Sequence, residues 1–163
     1  MDYRFEPLSE SDREPVIDIL NYFIEHGFAA YPEDKIGEEF FGRILEMTRG
    51  YPAVSVRAPS GECAGFAFLR AYHSARTLRR TAEITYFLAP EHTGKGTGGR
   101  LIEHLGREAR KLGIDNILAS ISSLNEGSIR FHLRNGFAEC GRFRAVGRKF
   151  GRDFDVVWMQ KRL

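Results

Sequence analysis

Between positions 93 and 99 the chain reads Thr-Gly-Lys-Gly-Thr-Gly-Gly, four glycines among seven residues, set between a β-rich run and an amphipathic helix. The run spans Thr81 to Ala89 and is broken by Pro90. Leu101, Ile102, Leu105 and Ala109 mark one face of a helix from Gly98 to about Leu112, closed by Gly113. Ile114 to Ile121 then reads as a short apolar strand, so strand, turn, helix and strand make one βαβ unit with a right-handed crossover. A turn of this kind aims several backbone N–H groups at one point, at the positive end of a helix, and the missing Cβ atoms let an anion reach them. Thr93, Gly94, Lys95, Gly96, Thr97, Gly98 and Gly99 are therefore candidate phosphate binders, with Lys95 as a cation at the mouth. A flexible turn that holds nothing is the other reading of the same residues.

The rest of the chain surrounds this unit with antiparallel strands. Tyr3 to Leu8 alternates as a strand, and Ser9 or Ser11 offers a helix cap, with Glu14 three residues beyond Ser11 as in a capping box. Val16, Ile17, Ile19, Leu20 and Phe23 carry that helix to about His26. Gly27 ends it, and Phe28-Ala29-Ala30-Tyr31-Pro32 is an apolar loop, which predicts that the loop covers something. A second helix runs from about Gly37 to Thr48. Ala53 to Ala58 and Cys63 to Arg70 read as a hairpin through Pro59-Ser60-Gly61-Glu62. After the basic loop His73 to Arg80 and the βαβ unit come a helix over Asn125 to Asn135 and two strands, about Phe137 to Val146 and Asp153 to Lys161. The expectation is a single α/β domain over residues 1–163, with a mostly antiparallel mixed sheet of about seven strands, one parallel step and about four flanking helices.

Composition excludes several classes of partner. With 24 Lys and Arg against 22 Asp and Glu, the net charge of +2 creates no general field for nucleic acid or an anionic membrane, so any anion site must be local. The first residues lack the basic and then apolar pattern of an export signal, and no stretch of about eighteen apolar residues occurs. A soluble, cytoplasmic protein is expected. Cys63 and Cys140 form no CxxC pair and have no His/Cys cluster nearby, so no metal is expected and both read as small buried or half-buried thiols of a reducing compartment.

Spacing narrows the kind of phosphate. Gly94-x-Gly96-x-x-Gly99 satisfies a dinucleotide fingerprint, but that fingerprint opens its domain and needs more βα units than follow here. A Walker loop needs Ser or Thr directly after Gly-Lys, and Lys95 is followed by Gly96. The remaining pattern resembles the GCN5-related N-acetyltransferase (GNAT) superfamily, whose Arg/Gln-x-x-Gly-x-Gly/Ala signature falls on Thr93-x-x-Gly96-x-Gly98. More narrowly, the chain resembles the phosphinothricin and methionine sulfoximine acetyltransferase branch. The residues that carry this are Asn21-Tyr22, Thr81-x-Glu83, Pro90-Glu91-His92, Asn125-Glu126-x-Ser128, Gly136-Phe137, Gly147-x-Lys149-x-Gly151-Arg152, Asp155-Val156 and Met159-Gln160. Two departures stand out. Thr93 replaces the usual Arg or Gln, and Phe150 and Phe154 stand where those relatives usually carry His.

The resemblance implies an acetyl-CoA-dependent transfer to a small-molecule amine, with acetyl-CoA as co-substrate and a homodimer as the usual assembly. It implies that Glu83 is the general base, since an ammonium must lose a proton before it can attack a thioester. It places the pantetheine arm along the backbone of Phe87 and Leu88 and on Asn125 and Ser128, and it puts His132 where relatives carry a proton donor for the departing thiolate. The acceptor it suggests is an amino acid of the phosphinothricin, methionine sulfoximine or sulfone type, walled by Phe28, Tyr31, Arg76, Arg79 and Arg80, with an Arg clamping the carboxylate. The competing readings are a non-catalytic acyl-CoA-binding module and an acetyltransferase for a protein N-terminus or a polyamine.

Overall fold

The computed structural model describes residues 2–163. In chain order the elements are β1 (Arg4–Pro7), α1 (Arg13–Glu25), α2 (Phe40–Met47), β2 (Ala53–Arg57), β3 (Cys63–Ala71), β4 (Thr81–Leu88), α3 (Thr97–Lys111), β5 (Asn116–Ser122), α4 (Glu126–Arg134), β6 (Ala138–Lys149) and β7 (Arg152–Arg162). The strands form one sheet in the order β1-β2-β3-β4-β5-β7-β6. Every pair is antiparallel except β4 with β5. The α/β class, the seven strands, the four helices and the one parallel step thus match the sequence reading.

The two faces of the sheet bury different sets of residues because side chains alternate along each strand. Ala67 and Leu69 of β3, Ala82 and Ile84 of β4, and Ile117 and Ala119 of β5 pack with Leu101, Ile102, Leu105 and Ala109 of α3. Each fully buried Leu or Ile there contributes about 1.5–3 kcal/mol. On the opposite face Phe66 and Phe68 meet Val16, Leu20 and Ile24 of α1 and Phe41 and Ile44 of α2.

The start of α1 differs in detail from the sequence reading. Asp12, rather than Glu14, closes the capping box, accepting from the Ser9 backbone N–H at 2.9 Å, and a short 3₁₀ turn at Glu10–Asp12 precedes the helix. Asp12 is fully buried and also pairs with Arg57 of β2, a partner that the local pattern could not reveal. Cys63 is half-buried, but Cys140 is exposed on β6, the edge strand, where burial was expected. No helix among the described residues is long and apolar enough to cross a membrane.

The parallel step positions the site. β4 and β5 pair only over Thr81–Glu83 and Asn116–Leu118, although both strands continue, to Leu88 and Ser122. Beyond Glu83 the two strands part, and β4 keeps β3 on one side and leaves its other edge free. The β3–β4 register is unbroken from Gly65↔Leu88 to Ala71↔Ala82, so no bulge disturbs the alternation of β4.

Candidate active site

A cavity of about 930 Å³ occupies the opening between β4 and β5. Its walls include the free stretch of β4, the glycine turn, the start of α4 and the apolar loop before α2.

At one end the glycines have separate tasks. Gly94 and Gly96 have φ of +72° and +77°, the left-handed region that favours glycine, and a Cβ at either would meet nothing within 4 Å. Gly98 is needed for packing, since a Cβ there would stand 2.9 Å from the Phe131 ring of α4. The N–H groups of Gly94, Lys95 and Gly96 have no backbone acceptor among the described residues, and those of Thr97, Gly98 and Gly99 open α3 without intrahelical partners. This concentration of unpaired donors at a helix start fits a diphosphate. Thr93 lines the cavity beside it with both of its donors directed elsewhere. Its hydroxyl donates to the Pro90 carbonyl at 2.7 Å and its backbone N–H to the same oxygen at 3.2 Å. Lys95 is exposed and lies outside the cavity walls.

At α4, Asn125 caps the helix by accepting from the Ser128 N–H at 3.3 Å, and both residues line the cavity. His132 is 3% exposed. Its Nδ1 lies 2.7 Å from the Ser128 carbonyl oxygen, which can only accept, so the ring proton sits on Nδ1. Nε2 then accepts from the Tyr86 hydroxyl at 3.0 Å. Burial pushes the imidazole below its ordinary value, opposed by the bond to Ser128. A neutral His132 with its ring proton bonded to the Ser128 carbonyl turns none toward the cavity, and the hydroxyl bonded to its Nε2 is that of Tyr86. Burial pushes the Tyr86 phenol upward, so it stays a neutral donor.

At the other end, Glu83 is the last residue of β4 paired to β5, its side chain 16% exposed on the α1/α2 face. Arg70 stands opposite it on β3, with Nη2 3.2 Å from Glu83 Oε1. The Arg70 Nε is buried without a partner. The Tyr31 hydroxyl is 2.7 Å from Ser120 Oγ and its ring stacks on Phe154 at 5.8 Å. Burial pushes the Tyr31 phenol up, the bond to Ser120 works against this, and the charge of Glu83 adds to it. Lys149, fully buried, donates to the Ala30 carbonyl at 2.7 Å and so ties the apolar loop to the β6–β7 hairpin.

The cavity brings together Glu83, Phe87, Leu88, Thr93, Gly94, Gly96, Gly98, Gly99, Asn125, Ser128, His132 and Tyr31. It leaves out Phe28, Arg76, Arg79 and Arg80. Phe28 sits under Arg152 at 5.3 Å and against Phe150 and Phe154. Arg80 is held by Asp115 at the far end of β4, and Arg79 is exposed. Thr97 is buried behind the turn. Two further residues, Arg70 and Tyr86, line the cavity without being named as site residues by the sequence reading. Arg70 sat at the end of a run read only as strand, where its place in the Phe66, Phe68, Arg70 alternation was the available signal. Tyr86 lies on the face of β4 opposite Glu83, and no sequence signal links it to His132. Among the described residues no three His, Cys, Asp or Glu side chains gather as a metal-ligand group.

Comparison with known proteins gives a consistent picture. The acetyltransferase (GNAT) domain model matches residues 14–158. The chain is 30% identical over 161 residues to the phosphinothricin N-acetyltransferase of Streptomyces coelicolor, covering 96% of this chain and 94% of the relative. It is 32% identical over 156 residues to the L-methionine sulfoximine/L-methionine sulfone acetyltransferase of Salmonella typhimurium, covering 94% and 91%. The crystal structure of a GNAT superfamily phosphinothricin acetyltransferase from Sinorhizobium meliloti in complex with AcCoA superposes with a TM-score of 0.93 at 30% identity, covering 100% of this chain and 89% of that one.

Proposed function

The chain belongs to the GNAT acetyltransferase family, and on that footing we propose that it moves the acetyl group of acetyl-CoA to the α-amine of a small amino acid or close analogue, with Glu83 as general base. Phosphinothricin, methionine sulfoximine and methionine sulfone, named for the relatives, mark the acceptor class. The observation that carries this reading is the position of Glu83, where the strands part, with the Arg70 guanidinium directly across from it.

In this reading the diphosphate lies on the N–H groups of residues 94 to 99, and the pantetheine arm follows the free edge of β4 past Leu88 and Phe87, with Asn125 and Ser128 on its other side. The thioester then lies beside Glu83. The acceptor carboxylate takes the part-exposed guanidinium of Arg70, a role the sequence reading gives to Arg76, Arg79 or Arg80, and its ammonium faces Glu83. Glu83 accepts the ammonium proton, the free amine attacks the thioester carbon, and a backbone N–H at the end of β4 stabilises the oxyanion. As the C–S bond breaks, the Tyr86 hydroxyl turns from His132 and gives its proton to the thiolate, and the second proton of the attacking nitrogen, released as the amide forms, restores the phenol. An α-amino acid presents a carboxylate and an ammonium side by side, which complements the Arg70–Glu83 pair. A polyamine does not, and Glu83 is the only carboxylate on the cavity walls among the described residues.

The test is incubation with acetyl-CoA and a panel of amino acids and polyamines while free thiol is followed. Thiol release that depends on an α-amino acid supports the reading. Acetyl-CoA binding with no release for any amine supports a non-catalytic acyl-CoA-binding module instead.

A further inference from the structure

The register of β3 and β4 gives the acceptor end a direction. Arg70↔Glu83, Phe68↔Thr85 and Phe66↔Phe87 are successive pairs on the same face, each step about 7 Å further along the strands. The cavity walls run from this rung over Phe68 and Thr85 to Phe87 and include neither Tyr72 nor Thr81 on its other side, so an amino acid with its two charged groups on Arg70 and Glu83 sends its side chain toward Phe87. What it meets there is apolar. Phe23 lies 5.1 Å and Phe66 5.7 Å from the Phe87 ring, and the half-buried Phe40 and Met47 of α2 also line the cavity.

The charges on the walls are equally one-sided. Among the described residues only Arg70 and Arg134 supply cations there. Arg134 adjoins Asn135, whose Oδ1 sits 3.1 Å from where a Gly99 Cβ would be, so it belongs to the glycine-turn end. A phosphinate at the tip of the acceptor side chain would be taken from water with no cation to meet it, and Thr85 is the one polar side chain of the two same-face register pairs beyond the Arg70–Glu83 rung that a sulfonyl group could reach.

Resting on the acetyltransfer reading above, we infer that the preferred acceptors are L-α-amino acids with bulky apolar side chains, of the leucine, methionine or phenylalanine kind, rather than phosphinothricin or methionine sulfone. Arg70 and Glu83 fix the common backbone portion, and Phe23, Phe87 and Phe40, backed by the fully buried Phe66, select the side chain by the area it removes from water.

The experiment measures kcat/KM for leucine, phenylalanine, alanine, methionine sulfone and phosphinothricin at saturating acetyl-CoA, with direct acetyl-CoA binding measured in parallel. Burial of a large apolar side chain predicts leucine and phenylalanine above alanine by about 10- to 100-fold, and above phosphinothricin by about 100-fold or more. Phe40→Ser should narrow the leucine-to-alanine ratio by about 10-fold, read as a ratio so that overall loss of folded protein cancels. Phosphinothricin, methionine sulfone or alanine used as well as leucine would overturn the inference and leave the acetyltransfer reading standing. A leucine-to-alanine ratio that Phe40→Ser does not move would overturn the placement of the side chain. Acetyl-CoA bound but no amino acid acetylated would overturn the reading beneath it.

Discussion

His132 Nε2 lies 3.0 Å from the Tyr86 hydroxyl, which makes a buried imidazole on α4 the acceptor for a phenol on the stretch of β4 that has parted from β5. The pair has a pH signature. The imidazole is depressed in the folded protein, mainly by burial, so the unfolded chain binds this proton at a higher pH than the folded chain does. Its contribution to stability is therefore complete above the unfolded value of about 6.5 and falls as pH drops through the lower folded value. Urea unfolding of wild type and His132→Gln at pH 7.5 and at pH 5 checks this. The stability advantage of wild type, about 1–3 kcal/mol at pH 7.5 for a buried hydrogen-bonded group, should shrink at pH 5.

Tyr86→Phe removes the hydroxyl and keeps the ring that packs on Phe131. We expect kcat to fall by about 100-fold with acetyl-CoA affinity unchanged, as for loss of a proton donor. Rapid-quench kinetics beside calorimetric titration of acetyl-CoA separate the two quantities.

Gly96 begins α3 from a left-handed conformation. Gly96→Ala would strain this turn by about 1–2 kcal/mol and rotate the N–H groups that precede the helix. Acetyl-CoA Kd should rise by about 10-fold or more, and the affinity of the acceptor should be far less affected. Titration calorimetry on the folded variant, with its urea midpoint as the control for stability, gives the comparison.

Arg70→Met removes the guanidinium that faces Glu83 across the β3–β4 register. KM for an amino acid should rise by about 10- to 100-fold, as expected for a lost charge-assisted hydrogen bond, and KM for acetyl-CoA should hold. An amine that lacks the carboxylate should be nearly indifferent to the substitution. Steady-state kinetics with leucine and with its decarboxylated amine make the contrast.

Much of this was legible in local pattern. The glycine turn after Ala89, the helical spacing of Leu101, Ile102, Leu105 and Ala109 and the short strand after Gly113 dictate the βαβ unit, because each signal is contained within about fifteen residues. The alternation of β4 put Glu83, Thr85 and Phe87 on one face and Ile84, Tyr86 and Leu88 on the other, as the two core clusters show. What was not legible depends on partners far away in sequence. Asp12 is buried because Arg57 of β2 reaches it, and Lys149 is buried because the Ala30 carbonyl lies 119 positions earlier in the chain. Arg80 looked like an acceptor-site cation in a basic loop, but β4 begins at Thr81, the wrong end for the opening, and Asp115 takes its charge. The parting of β4 from β5 beyond Glu83 has no counterpart in the sequence, since both strands keep their β-rich character after pairing ends.

The central claim is that the Glu83 carboxylate takes the proton of the acceptor ammonium while the glycine turn holds acetyl-CoA independently of it. The direct measurement is acetylation turnover by Glu83→Gln, isosteric and uncharged, with acetyl-CoA Kd determined on the same preparation. Turnover reduced by about 100-fold or more, with Kd within about twofold of wild type, is the predicted result. Turnover close to that of wild type would contradict the account, because the reaction would then proceed without the group placed at its centre.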